Sequence, residues 1–171
     1  MMLIGDELLN LIHEKKVAPE EAFDETCLQL SVGRTVKHLV PSPQNDTLIF
    51  GQTIPRECVK KSDISDSGLL IKPHSSALAV SHEEIHIPLE YFGLLQTKGA
   101  LARLMVSIHF SDGQLDPGFA GHVTFELYNG SDFSILLPYR SLVGNIYIYE
   151  TRGKTRGYSG RFANSDEPTI P

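Results

Sequence analysis

Three ionisable side chains in one central stretch have the types needed for chemistry: Arg103, Asp116 and Glu126. A carboxylate can take a proton from water and return it to a leaving group. A guanidinium can hold that carboxylate, or an anion, in its planar fork. Asp116-Pro117-Gly118-Phe119 is a turn that stops any helix and folds the chain back. After it, Val123, Phe125 and Leu127 alternate with Thr124, Glu126 and Tyr128. That is strand period two, with one apolar face and one face able to present a carboxylate. The same residues also fit plainer roles. Glu126 could be a solvated residue on the outer sheet face, Arg103 half of a surface ion pair, Asp116 a turn former and Phe119 part of the core.

The elements that must position this stretch follow from periodicity. Ile4, Leu8, Leu11 and Ile12 recur at helical spacing, with Asp6 and Glu7 early and Lys15 and Lys16 late, so the charges complement the helix dipole. Cys27 to Gly33 alternates like a strand, and Pro41 to Asp46 is a loop. Thr47 to Phe50 predicts a short strand, and Pro55 to Ser67 is polar and irregular. From Gly68 the pattern is steadily β. Strands are predicted over Leu69 to Ile71, Ala77 to Val80, Ile85 to Leu89, Leu104 to Phe110, His122 to Tyr128, Phe133 to Leu137 and Val143 to Tyr149. Many short strands with regular turns point to a sandwich or barrel. Residues 1–150 read as one domain and 151–171 as a flexible tail rich in Gly, Ser, Arg and Pro.

Composition removes several classes. The net charge of −6 argues against a general nucleic-acid binder, which needs a broad basic face. Cys27 and Cys58 lie in no CxxC pair, so neither a disulfide framework nor a zinc ribbon is indicated, and two free thiols suit the cytoplasm. The opening residues have no basic-then-apolar signal pattern, and no apolar run approaches membrane-spanning length. His82-Glu83-Glu84-Ile85-His86 matches the zinc-protease string. That string works only on a helix, and the alternation of Ile85, Ile87 and Leu89 with Pro88 favours a hydrophilic turn between strands. No G-x-S-x-G, Walker A or G-x-G-x-x-G motif occurs.

Leu101-Ala102-Arg103-Leu104, followed by Leu115 through Asn129, resembles the dCTP deaminase branch of the dUTPase-like superfamily. The resemblance extends to Leu3–Ile12, to Leu28–Gly33 and to Tyr158-Ser159-Gly160-Arg161-Phe162 with Pro168-Thr169. It implies a mainly β fold, a distorted β-barrel with a short N-terminal helix, forming a homotrimer with active sites between subunits. It implies hydrolysis of the cyclic amidine C–N bond of dCTP to give dUTP, without zinc, Mg2+ accompanying the triphosphate. Glu126 matches the glutamate that activates water, and Arg103 the arginine that fixes it. Asp116 matches the residue bonding the sugar 3′-hydroxyl, and Phe119 the aromatic that excludes a 2′-hydroxyl. Backbone groups around Val123, with Thr124, would read the pyrimidine. Tyr158, Arg161 and Ser165 would belong to a segment covering the phosphates, and Asn145 stands where many relatives carry glutamine.

Lys98, Gly99 and Ala100 stand where the family usually has Arg-Ser-Ser, so the phosphate side departs from the pattern. Two other readings therefore stay open. One is a dUTP diphosphatase, or an enzyme with both activities; the other is a non-catalytic nucleotide binder.

Overall fold

Ala120 to Asn129 forms one strand in which burial alternates at every position, so Val123, Phe125 and Leu127 face the core and His122, Thr124 and Glu126 face away. The computed structural model describes residues 1–153, 155–158, 160 and 165–170. In chain order it has helix α1 (Gly5–Lys15), strands β1 (Phe23–Asp24), β2 (Cys27–Leu39), β3 (Val59–Asp63), β4 (Leu69–Ile71), β5 (Ser76–His86) and β6 (Tyr91–Thr97), then the short helix α2 (Gly99–Ala102). Strands β7 (Val106–Ser107), β8 (Gln114–Leu115), β9 (Ala120–Asn129), β10 (Ile135–Leu137) and β11 (Leu142–Glu150) follow. The expected mainly β class holds: a curled, half-barrel sheet runs β7-β9-β5-β2-β11-β6-β8, with β1 and β3 also on β2 and a separate β10–β4 pair.

The core lies inside the curl, where Phe125, Leu28, Leu30, Ile85, Leu95, Ile108 and Ile146 are fully enclosed. Helix α1 sets Leu8, Leu11 and Ile12 against it and ends at Lys16, whose left-handed backbone returns its N–H to the Ile12 carbonyl. Burial pushes the Cys27 thiol up, and the Asp24 carboxylate adds to this. Among the described residues no helix is long and apolar enough to cross a membrane.

The pairing of β5 with β9 is regular except at one place. Val80 pairs with Thr124 and Glu84 with His122, so Ser81, His82 and Glu83 stand opposite Val123 alone. Such a bulge bends the strand and re-aims its side chains. Here the Val123 N–H donates to Ser81 Oγ at 2.8 Å, and that hydroxyl donates to the Glu83 carbonyl at 2.6 Å. The bulge turns the Glu83 carboxyl inward, where one oxygen accepts the Ser31 N–H at 2.8 Å and the other the Ser31 hydroxyl at 2.6 Å. On the β2 side the strands touch so closely that a Cβ at Gly33 would lie 2.9 Å from the Val80 and Ser81 carbonyl oxygens.

The structure corrects several local expectations. His82 to His86 is not a turn. It continues the strand that begins at Ser76, and the extended chain carries its two histidines about 13 Å apart. Thr47 to Phe50 is irregular: Leu48, Ile49 and Phe50 are exposed and meet no partner strand, which apolar content alone cannot supply. Pro55 to Ser67 is more ordered than its polarity suggests, because its Val59–Asp63 part pairs with β2 and needs no buried face of its own. Leu104 to Phe110 keeps only Val106–Ser107 as strand, after a helical turn. Tyr91–Thr97 is a strand that periodicity missed, since Gly93 interrupts it where Leu115, Ile146 and Ile87 crowd the backbone.

Replacing Glu83 by alanine strands the Ser31 N–H and hydroxyl in the interior and should cost about 3 kcal/mol. Urea denaturation should show that loss, with Glu83→Gln losing roughly half as much because one acceptor remains.

Candidate functional site

A cavity of about 350 Å³ opens beside β9. Its walls include Asp116 and Phe119 from the turn before the strand, His122, Thr124 and Glu126 from the strand itself, and Tyr158 from the tail. Period two brings His122, Thr124 and Glu126 to the same face, so one strand supplies three polar groups about 7 Å apart. A second cavity of about 580 Å³ shares Glu126 and Leu78 with the first and is lined on its far side by Lys37 and Phe110. Glu126 therefore stands where the two spaces meet.

The Glu126 carboxylate is oriented by backbone. Its Oε2 accepts the Phe110 N–H at 2.9 Å, and the Glu126 N–H donates to the Ile108 carbonyl at 2.8 Å. Both partners come from the segment after α2 that was expected to be one strand. Its departure from regular pairing is what frees the Phe110 amide for a side chain. Among the described residues, the other Glu126 oxygen has no such partner.

The turn that the sequence predicts at Asp116 forms, with type II geometry. The Phe119 N–H returns to the Asp116 carbonyl at 3.0 Å, and Gly118 takes φ +89. The tail lies against it: the Tyr158 N–H donates to the Pro117 carbonyl at 2.7 Å, and the Tyr158 ring meets Phe119 with centroids 6.2 Å apart. An aromatic pair lining a polar cavity is a platform for a flat or ring-shaped ligand.

The backbone edge facing the cavity belongs to His122 and Thr124. The Val123 N–H is turned toward Ser81, whereas the amides of His122 and Glu126 point away from β5 and alternation puts Thr124 with them. His122 was not singled out from the sequence, where it read as one more alternating position. Its Nδ1 lies 3.0 Å from the Ser81 carbonyl and must donate to it. That leaves Nε2 of the neutral ring as an acceptor.

The structure unites Asp116, Phe119, Val123, Thr124, Glu126 and Tyr158 around one cavity. It does not bring Lys98, Gly99, Ala100, Arg103 or Asn145 there within one chain. Arg103 is exposed, and its Nη1 donates to the Gly99 carbonyl at 2.9 Å. A Cβ at Gly99 would lie 3.0 Å from that nitrogen, so the missing serine is also what leaves room for this contact. Asn145 sits mid-sheet between Gln29 and Gln96, its buried Oδ1 without a partner among the described residues. Ser165 accepts the His122 N–H on its carbonyl and turns its hydroxyl to the Glu167 carbonyl. Arg161 lies outside the described residues, as do Ser159 and Phe162.

The cavity's charge is one-sided. Asp112, Asp116 and Glu126 line it, and among the described residues no Lys or Arg does. The arrangement suits a neutral, ring-shaped group beside a carboxylate, with any polyanionic part held elsewhere.

Comparison with known proteins adds a family. The sequence model of the dCTP deaminase-like family matches residues 2–151. A dCTP deaminase from Idiomarina loihiensis is 32% identical over 97 residues, covering 56% of this chain and 50% of that protein. A dUMP-forming dCTP deaminase from Nanoarchaeum equitans is 26% identical over 175 aligned positions, covering 92% of this chain and 88% of its own. The chain thus matches about half the length of the Idiomarina protein and most of the Nanoarchaeum one. The crystal structure of 2′-deoxycytidine 5′-triphosphate deaminase from Agrobacterium tumefaciens shares the fold, with a TM-score of 0.62 over 86% of this chain and 47% of that chain at 13% identity.

Gly118→Ala should destabilise the turn by about 1–2 kcal/mol, since it forces a Cβ into positive φ. That Cβ would also meet the Tyr158 nitrogen at 2.8 Å. Thermal melting should show the first effect, and faster hydrogen exchange of the Tyr158 amide the second.

Proposed function

This chain belongs to the dCTP deaminase-like family, and from that premise we propose that it hydrolyses the cyclic amidine C–N bond of dCTP, giving dUTP and ammonia. The observation that carries the reading is the Glu126 carboxylate, held by the Phe110 amide at the wall of a cavity that the Phe119–Tyr158 pair also lines.

In this reading the cytosine lies beside the Thr124 backbone, since the His122 N–H is taken by the Ser165 carbonyl, and the deoxyribose packs on Phe119 with its 3′-hydroxyl at Asp116. Water attacks C4, and Glu126 takes its proton through the oxygen that Phe110 does not occupy. Glu126 gives that proton to the ring nitrogen, where it stays in the product, then takes the proton of the new hydroxyl and gives it to the amine. The C–N bond breaks as the new hydroxyl becomes a carbonyl, so dCTP and water leave as dUTP and ammonia. The preorganised Phe110 amide spares the carboxylate a search for its orientation at the moment of reaction.

The triphosphate needs cations that the cavity does not hold. Lys98 and Arg103, which flank α2, are candidates from a neighbouring copy, in keeping with the homotrimer of the family reading. Leu104, Met105 and Phe110 are exposed beside that helix and Glu126, and a second copy would cover them. Arg161 is a further candidate. In this reading Mg2+ arrives on the phosphates of the nucleotide. The reaction would take place in the cytoplasm.

Purified protein given dCTP and Mg2+ should release ammonia and accumulate dUTP. Chromatography of the nucleotides checks it, and no deamination at high enzyme concentration would overturn the reading. Accumulation of dUMP and pyrophosphate instead would group the chain with relatives such as the Nanoarchaeum protein, named for forming dUMP. Glu126→Gln should retain nucleotide binding within about threefold and lose turnover by a factor of about 10³ or more, as expected for a group that acts in the transition state. Normal turnover in that variant would leave Glu126 as a sheet residue only.

A further inference from the structure

The described part of the tail is docked, and an ion cluster outside the cavity docks it. Strands β2 and β3 place Lys37 directly opposite Lys61, so their side chains share one face. Two like charges in that position repel each other. Glu167 bridges them: its carboxylate pairs with Lys61 through one oxygen and lies 3.3 Å from Lys37 Nζ through the other. Lys37 also donates to the Pro168 carbonyl at 2.7 Å, and its side chain is only 16% exposed. Pinning two adjacent tail residues to one largely buried ammonium fixes their direction as well as their position.

That direction leads to the catalytic strand. The His122 N–H donates to the Ser165 carbonyl at 3.1 Å. The Thr169 N–H donates to Thr124 Oγ1 at 3.1 Å, and the two threonine hydroxyls lie 3.1 Å apart. Thr169 thereby becomes a wall of the cavity on the Thr124–Glu126 side, away from the turn that meets the sugar. The Glu167 carboxyl is held below its ordinary range, first by the hydrogen bond from Lys61, against some desolvation, and then by Lys37. The bridge is therefore charged at neutral pH.

We propose that Glu167 is a positioning residue: its bridge to Lys37 and Lys61 seats Pro168 and Thr169 against Thr124, so that the tail builds the nucleobase end of the pocket. This rests on reading the cavity as the site for the deoxycytidine nucleotide. It differs from a segment that only covers phosphates. The contact with the cavity is made through hydroxyls beside the base-reading edge, and the charged residues lie outside. Loss of the bridge should raise KM and leave kcat nearly unchanged, because Glu126 and its Phe110 donor are untouched. Salt screens partly exposed ion pairs, so the difference between wild type and a bridge-less variant should shrink as ionic strength rises.

The test is Glu167→Gln in the full chain, beside the charge exchange Lys61→Glu with Glu167→Lys. Hydrogen exchange at the His122 and Thr169 amides should quicken in Glu167→Gln, and KM for dCTP should rise about three- to tenfold, the scale of one or two partly exposed pairs. The melting temperature should barely move. The KM gap should close at 0.5 M NaCl (roughly a 4 Å screening length). The charge exchange should recover part of both effects. Unchanged exchange at the two amides, or unchanged KM in the presence of an active wild type, overturns the proposal alone. A wild type that neither binds dCTP in calorimetry nor deaminates it overturns the reading of the pocket, and this role with it.

Discussion

The pairing of β9 with β5 around a single bulge is the constraint on which the site depends. Regular pairing on either side keeps Phe125 and Leu127 in the core and Thr124 and Glu126 on the cavity face. A one-residue slip of β9 would exchange those faces, burying the carboxylate and exposing the aromatic core. The bulge resists that slip, because Val123, Ser81, Glu83 and Ser31 form one chain of hydrogen bonds across three strands. Every group in it is buried, so none can be released without an interior donor or acceptor going unpaired.

Charge is distributed with the same economy. Three carboxylates, Asp112, Asp116 and Glu126, line the cavity, while Lys37 and Lys61 pair with Glu167 outside it and Arg103 donates to the Gly99 carbonyl. A pocket of this kind favours the uncharged ring of a nucleotide and leaves the phosphates to groups beyond its rim. The Glu126 carboxylate is then oriented by an amide rather than by a cation within one chain, which fixes its direction without neutralising it. The tail follows the same division, with its ion cluster outside and its hydroxyls at the wall.

Much of the site was legible because it is local. The turn at Asp116 and the alternation from Val123 to Tyr128 depend on neighbouring residues only, and both formed as predicted. The helix over the first residues did so for the same reason. Non-local contacts were not legible. Glu83 looked like part of a hydrophilic turn because its partner, Ser31, is far away in sequence. Lys37 and Lys61 are far apart in sequence, and only the pairing of β2 with β3 sets them side by side. His122 carried no signal beyond its place in an alternating strand, and its proton arrangement is set by the Ser81 carbonyl.

The sequence by itself determined which side of β9 is apolar, where the chain turns before it and which carboxylate the strand presents, since these follow from backbone geometry and side-chain period. Tertiary structure alone decided that the Phe110 amide orients Glu126, that the Val123 amide is spent on Ser81, and that Arg103 folds onto its own helix instead of reaching the cavity. The physical reason is that a hydrogen bond needs its two partners about 3 Å apart, and sheet topology rather than sequence spacing places Ser81 beside Val123 and Ile108 beside Glu126.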